Sequence, residues 1–125
     1  MPMSQSFKDR LFPILPQLAE HYGTPFHVYD EAGIRATADR LNRAFAGIPG
    51  FREYYAVKAL PNIHIQQLMF DLGFGFDCSS IPELITSRQV GARGEDIIFT
   101  SNNTSQEEYN FAADDGGCIL NLDDI

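Results

Sequence analysis

The feature that most constrains this chain is a regular alternation of short apolar strands and amphipathic helices that begins near residue 54. We predict strands at residues 54–58, 74–78, 96–100 and 118–122, and helices at residues 63–72, 82–90 and 105–114. Asn62 and Ser105 are N-cap residues, and Pro82 suits the first turn of its helix. A strand that returns after roughly twenty residues predicts a parallel sheet with right-handed helical crossovers, and therefore an α/β fold.

Two architectures fit this alternation, namely an open doubly wound sheet and the first half of a (β/α)8 barrel. Each predicted strand is followed by polar side chains, and both architectures bind ligands at the carboxyl ends of their strands. Four successive polar ends favour the barrel, although loops are polar for other reasons as well. The polar residues are Lys58, Asp77, Ser79, Ser80, Ser101, Asn102, Asn103, Asn121 and Asp123.

The N-terminal segment has a different pattern. Residues 4–21 read as a helix whose apolar stripe is interrupted by Pro13 and Pro16. A turn at residues 23–25 and a short aromatic and β-branched strand at residues 26–29 follow. Asp30 then precedes an amphipathic helix at residues 31–45. We therefore expect a domain boundary near residue 30, with an N-terminal helix and strand at residues 1–30 and a partial (β/α) barrel at residues 31–125.

Composition narrows the class of partner. The 125 residues carry a formal net charge of −8 and have a pI of about 4.6. An acidic surface argues against nucleic acid and anionic membranes as the main partners. No apolar run approaches the ~20 residues that span a bilayer, and the first residues lack the apolar region of a signal peptide. We expect a cytoplasmic protein.

The cysteines and histidines do not form a metal-binding pattern. Cys78 and Cys118 lie in apolar surroundings and lack ligand-like spacing. The histidines, His21, His27 and His64, form neither an H-x-x-x-H nor an H-E-x-x-H motif. We expect reduced, structural cysteines and no metal site.

Lys58 is the most informative residue, because it ends an apolar strand in the stretch Y-Y-A-V-K-A-L-P-N. Three interpretations remain open from the residues alone. The ammonium group could reach water along an apolar stem, bind a phosphate, or act as a nucleophilic amine whose pKa is lowered by desolvation. A nucleophilic lysine forms Schiff bases with aldehydes, including pyridoxal phosphate. The chain contains neither a G-x-x-x-x-G-K-[ST] loop nor a G-x-G-x-x-G motif. A receiver-type phosphoacceptor module would need an acidic pair after its first strand and an acceptor aspartate after a central one, whereas Lys58 ends the first strand of this series and T-S-N ends the third.

Several stretches together resemble the fold-type III pyridoxal phosphate enzymes, a group of amino-acid decarboxylases that also includes alanine racemase. Y-Y-A-V-K-A-L-P-N resembles the segment that carries the cofactor lysine in that family. G-T-P-F-H-V-Y-D resembles the entry strand, and G-F-G-F-D-C-S-S-I-P-E resembles the second barrel strand with the start of its helix. D-I-I-F-T-S-N-N and C-I-L-N-L-D-D-I resemble the third and fourth barrel strands. The resemblance covers residues 23–125 and is nearer to the decarboxylases than to the racemases.

The resemblance implies a set of site residues. Lys58 would be the catalytic lysine that binds pyridoxal 5'-phosphate as a Schiff base. Asp77 and Glu83 would lie near the cofactor and balance its positive charge, and Ala56 would leave room beside the ring. Asp77 as a turn former and Glu83 as a first-turn helix carboxylate are the alternatives. Many relatives have lysine where this chain has Thr104, so the chain departs from the family pattern at this position.

The resemblance also implies a longer protein. A (β/α)8 barrel takes roughly 250 residues, so we expect an N-terminal portion of an enzyme that ends after the fourth barrel strand and that is inactive alone. The strand at residues 26–29 would join a β domain outside this chain, and the full-length protein would be a homodimer. Diaminopimelate is the first choice of substrate, followed by a carboxylated polyamine and then ornithine or arginine. A non-catalytic, cofactor-holding or regulatory relative is the alternative.

Overall fold

The computed structural model describes residues 3–114 and 116–122, and the chain forms two compact units, Met1–Gly47 and Ile48–Ile125. The described residues of the first unit form three helices, α1 (Gln5–Leu11), α2 (Leu15–Tyr22) and α3 (Glu31–Phe45). The helix predicted at residues 31–45 is confirmed as α3. The domain boundary expected near residue 30 stays a prediction.

Two predictions for the first unit are wrong. The single helix expected over residues 4–21 is two helices, because Pro13 interrupts the helix and Pro16 lies in the first turn of α2, where a missing N–H is tolerated. Residues 26–29 do not form a strand. A strand requires a neighbour for its N–H and C=O groups, and the described residues provide none for this segment.

The second unit is a four-stranded parallel sheet with helices between its strands, as predicted. Its elements are β1 (Tyr54–Ala56), α4 (Ile63–Asp71), β2 (Gly75–Cys78), α5 (Ile81–Gln89), β3 (Gly94–Thr100), α6 (Gln106–Ala113) and β4 (Cys118–Asn121). The spatial order is β1-β2-β3-β4, and every pair is parallel. A doubly wound sheet reverses its order at a switch point, whereas a barrel keeps neighbours in sequence. The observed order is therefore that of a partial barrel.

The two faces of this sheet have different roles. Phe76, Cys78, Ile97 and Phe99 are buried and belong to one hydrophobic cluster with residues of the helices, such as Leu84. Side chains alternate along a strand, so the intervening residues face the other side, which is the inside of the barrel. The inner row consists of Ala56, Asp77, Ile98 and Ile119, which are successive register partners.

Tyr54 and Arg52 connect β1 with β3 across the amino-terminal end of β2. The Tyr54 hydroxyl donates to the Glu95 carbonyl at 2.8 Å, and Arg52 Nη2 donates to Asp96 Oδ1 at 2.7 Å. The guanidinium carbon of Arg52 lies 5.5 Å from the centroid of the Tyr54 ring. The ring crosses over Gly75, where an added Cβ would lie 2.5 Å from the ring and 2.7 Å from the Asp96 carbonyl oxygen. Glycine is therefore required at this position.

We expect Gly75→Ala to lower the free energy of unfolding by about 1–3 kcal/mol, because the new methyl group overlaps both a ring and a backbone oxygen. Urea unfolding measures the change. Gly47→Ala is the matched control, since a Cβ at Gly47 would meet nothing within 4 Å. An equal effect of the two substitutions would contradict the role assigned to Gly75.

Candidate active site

The predicted site residues lie at the carboxyl end of the sheet. Ala56 is the last residue of β1, Lys58 follows it, and Asp77 is the penultimate residue of β2. Glu83 is in the first turn of α5, the helix that follows β2. Ala56 and Asp77 are direct register partners on neighbouring strands, so the structure brings these two side chains together on the inner face.

Lys58 is not part of a strand, which corrects the prediction that β1 extends over residues 54–58. β1 ends at Ala56, and Lys58 is the middle residue of a 3-10 turn, Val57–Ala59. The side chain of Val57 is fully buried, whereas Lys58 is exposed. The described residues therefore leave the Lys58 side chain in contact with solvent, and its role as a nucleophilic amine stays a prediction. Lys58 nevertheless follows the carboxyl end of β1, and this is the end of the sheet at which barrels bind ligands.

Asp77 carries a buried acceptor that lacks a partner. Its Oδ1 atom is inaccessible to solvent and accepts no hydrogen bond from the described residues. A buried carboxylate oxygen without a donor costs free energy, so native proteins seldom retain one without a reason. The position opposite Asp77 on β1 is Ala56, whose methyl group leaves space on the inner face. The arrangement suits a cationic or hydrogen-bond-donating ligand.

Glu83 already has partners for both of its oxygen atoms. Oε2 accepts from the Ser79 N–H at 3.0 Å, and Oε1 accepts from the Ser80 hydroxyl at 2.8 Å. These bonds fold the loop after β2 onto the start of α5, where a carboxylate also interacts favourably with the helix dipole. The geometry supports the alternative interpretation of Glu83 as a first-turn carboxylate, and its contact with a cofactor stays a prediction.

The remaining polar strand ends form local contacts. Asn121 Nδ2 donates to Thr100 Oγ1 at 3.3 Å, which links β4 to β3. The Thr104 hydroxyl donates to the Ser101 carbonyl at 2.9 Å, and Asn103 has a φ of 57°, so this segment is a closed turn. Asp123, also expected at a strand end, lies outside the described residues.

Both cysteines have free thiols, and Cys78 is fully buried. Burial raises the pKa of the Cys78 thiol to about 12; the nearby carboxylates of Glu83 and Asp77 add to this effect, and a hydrogen bond with Ser87 opposes it. Such a thiol is unreactive at neutral pH.

Among the described residues, His, Cys, Asp and Glu side chains do not form a group that could hold a metal ion. None of the described helices has the length and apolar character to cross a bilayer.

We expect Asp77→Asn to raise the free energy of unfolding of the ligand-free chain by about 1 kcal/mol, because it removes the charge of a carboxylate whose Oδ1 atom is buried without a donor. Asp96→Asn is a control of opposite sign, since the Asp96 carboxylate pairs with Arg52 and also accepts the Arg93 N–H. Chemical denaturation of both variants measures the two effects. A loss of stability in Asp77→Asn would mean that the carboxylate has a partner within the chain.

Comparison with known proteins connects this geometry to a family. A family model described as the pyridoxal binding domain of pyridoxal-dependent decarboxylases matches residues 31–125. Protein TabA of Pseudomonas amygdali pv. tabaci is 50% identical over 124 residues, which cover 99% of this chain and 29% of that protein. Diaminopimelate decarboxylase of Methanothermobacter thermautotrophicus is 39% identical over 108 residues, which cover 86% of this chain and 25% of that enzyme. The chain thus spans 25–29% of the length of these curated relatives.

Solved structures agree with the fold. Diaminopimelate decarboxylase from M. jannaschi matches 76% of this chain and 23% of its own chain, with a TM-score of 0.72 and 32% identity. Lysine/ornithine decarboxylase from Vibrio vulnificus matches 99% of this chain and 32% of its own, with a TM-score of 0.82 at 20% identity, and so supports the fold alone. The chain belongs to the pyridoxal-dependent decarboxylase family, and residues 31–125 correspond to its pyridoxal binding domain.

Proposed function

We propose that this chain is the N-terminal portion of a pyridoxal 5'-phosphate-dependent amino-acid decarboxylase. The observation that carries the proposal is the pairing of Ala56 with Asp77 beside the turn that presents Lys58. The carboxyl end of the sheet thus combines an exposed amine, a small neighbouring side chain and a buried carboxylate oxygen without a donor. That edge is where barrels of this class place their chemistry.

The residues present fit the cofactor. Lys58 offers a primary amine to an aldehyde, and its exposure leaves the amine accessible. Asp77 Oδ1 is a buried acceptor that a cationic nitrogen would satisfy. When bound, pyridoxal phosphate supplies an electron sink that allows an amino acid to lose its α-carboxylate as carbon dioxide.

Each residue then has a defined task. Lys58 would hold the cofactor through its amine, and Asp77 would balance and orient its positive charge. Ala56 keeps the inner face open beside Asp77. Glu83 acts indirectly. Its hydrogen bonds with Ser79 and Ser80 fix the loop that directly follows β2, the strand that contains Asp77.

The substrate class follows from the relatives. The relative from Methanothermobacter thermautotrophicus is named diaminopimelate decarboxylase, and diaminopimelate is therefore our first choice. The name of the relative with 50% identity states no reaction, so a carboxylated polyamine stays the second choice and ornithine or arginine the third. A non-catalytic homologue that binds the cofactor is the alternative. For the full-length protein we infer a cytoplasmic homodimer whose barrel domain begins near residue 31.

The amine of Lys58 can be tested directly, because Lys8 is the other lysine of the chain and serves as an internal control. We expect stoichiometric pyridoxal phosphate followed by borohydride to label Lys58 about tenfold more than Lys8, which corresponds to a preference of about 1.4 kcal/mol. Peptide mass mapping measures the ratio. Lys58→Arg should abolish the excess label while it keeps the charge. Equal labelling of the two lysines would overturn the assignment of Lys58 in this chain.

A further inference from the structure

The turn that carries Lys58 is held by more than its own backbone. The Leu60 N–H donates to the Val57 carbonyl at 3.2 Å, which closes the 3-10 turn around Lys58. The Asn62 N–H donates to the Leu60 carbonyl at 2.8 Å and leads the chain into α4. A single 3-10 turn has poor hydrogen-bond geometry and little intrinsic stability. Its rigidity therefore depends on contacts with the rest of the fold.

Tyr55 supplies such a contact. Its ring packs against the buried hydrophobic cluster on the outer face of the sheet. Its hydroxyl donates to the Leu60 carbonyl at 3.1 Å. The bond connects the residue before Ala56 with the residue that ends the turn, so it spans Lys58 from a rigid base. The start of the turn is also fixed, since the side chain of Val57 is fully buried.

We propose that Tyr55 is a positioning residue for Lys58, and that its hydroxyl tether to Leu60 holds the turn that carries the amine. The role of Lys58 itself rests on the proposed function. A lysine side chain has a flexible stem of four carbons, and an unanchored backbone would add to the volume that its amine samples. A tethered backbone confines the amine before any ligand binds. This preorganisation lowers the entropy that is lost when the amine takes up its reacting geometry.

The neighbouring tyrosine provides a matched control. Tyr54 also donates its hydroxyl to one backbone carbonyl, that of Glu95, at 2.8 Å. It does so at the amino-terminal end of the sheet, on the opposite face from Tyr55. Phenylalanine at either position keeps the ring and removes one hydrogen bond. A merely structural role predicts similar effects of the two substitutions, whereas a positioning role separates them.

The experiment compares Tyr55→Phe with Tyr54→Phe by two measurements. In Tyr55→Phe we expect the amides of Leu60 and Asn62 to exchange roughly fivefold faster, the factor for a hydrogen bond of about 1 kcal/mol. We expect the ratio of Lys58 to Lys8 labelling by pyridoxal phosphate and borohydride to fall by a similar factor. Tyr54→Phe should leave both quantities unchanged after correction for any loss of global stability.

The outcomes separate this inference from the proposed function. Unchanged exchange at Leu60 in Tyr55→Phe would overturn the tether, and faster exchange with an unchanged labelling ratio would overturn the positioning role. Equal labelling of both lysines in the unaltered chain would instead count against the proposed function, and the exchange result would still decide the tether. If Tyr55→Phe does not fold, Ala59→Gly loosens the same turn at an exposed position and should give the same pair of changes.

Discussion

The backbone pairing of the parallel strands is the constraint on which the remainder of this structure depends. Ala56, Asp77, Ile98 and Ile119 are register partners, and each is 21 positions from the next. A slip of one residue in any pair would turn its side chains to the opposite face. The buried phenylalanines would then point into the barrel, and Asp77 would enter the hydrophobic cluster. The same register that buries the core therefore delivers the site residues to the inner face.

Two features fix this register. On the outer face, Phe76, Cys78, Ile97 and Phe99 fit between sheet and helices, which penalises any slip through lost burial. On the inner face, Tyr54 and Arg52 reach over Gly75 to Glu95 and Asp96, and a glycine is needed at the crossing point. The hydrogen bonds of Tyr54 and Arg52 are directional, so their donors and acceptors match at one alignment of the strands and fix the register further.

The sequence predicts the structure well where apolar pattern and spacing determine it. It predicts the structure poorly where a segment depends on a neighbouring segment that is distant in the sequence. The four strands and the helices between them were predicted to within about two residues, which is the usual uncertainty of element ends. The strand expected at residues 26–29 failed because a strand needs a neighbour that local residues cannot supply. The extension of β1 to Lys58 failed because Y-Y-A-V-K reads as one apolar run, whereas the backbone turns after Ala56. The tether from Tyr55 to Leu60 leaves no pattern in the sequence, since a tyrosine in an apolar strand looks the same whether or not its hydroxyl has a partner.

Two aspartates of this sheet show how surroundings, rather than residue type, separate stability from chemistry. Burial raises the pKa of Asp96, but hydrogen bonds from the Arg93 N–H and from Arg52 outweigh it and hold the pKa below its usual value. These hydrogen bonds therefore stabilise the fold at pH values above the pKa that Asp96 has in the unfolded chain. The contribution is lost as the pH falls through the lower pKa that Asp96 has in the folded chain. Asp77 lies nearer the carboxyl end of the sheet and keeps a buried oxygen without a donor. An acceptor that is buried without a donor lowers the stability of the fold, so this oxygen supports the contact with a cationic cofactor that we propose for Asp77.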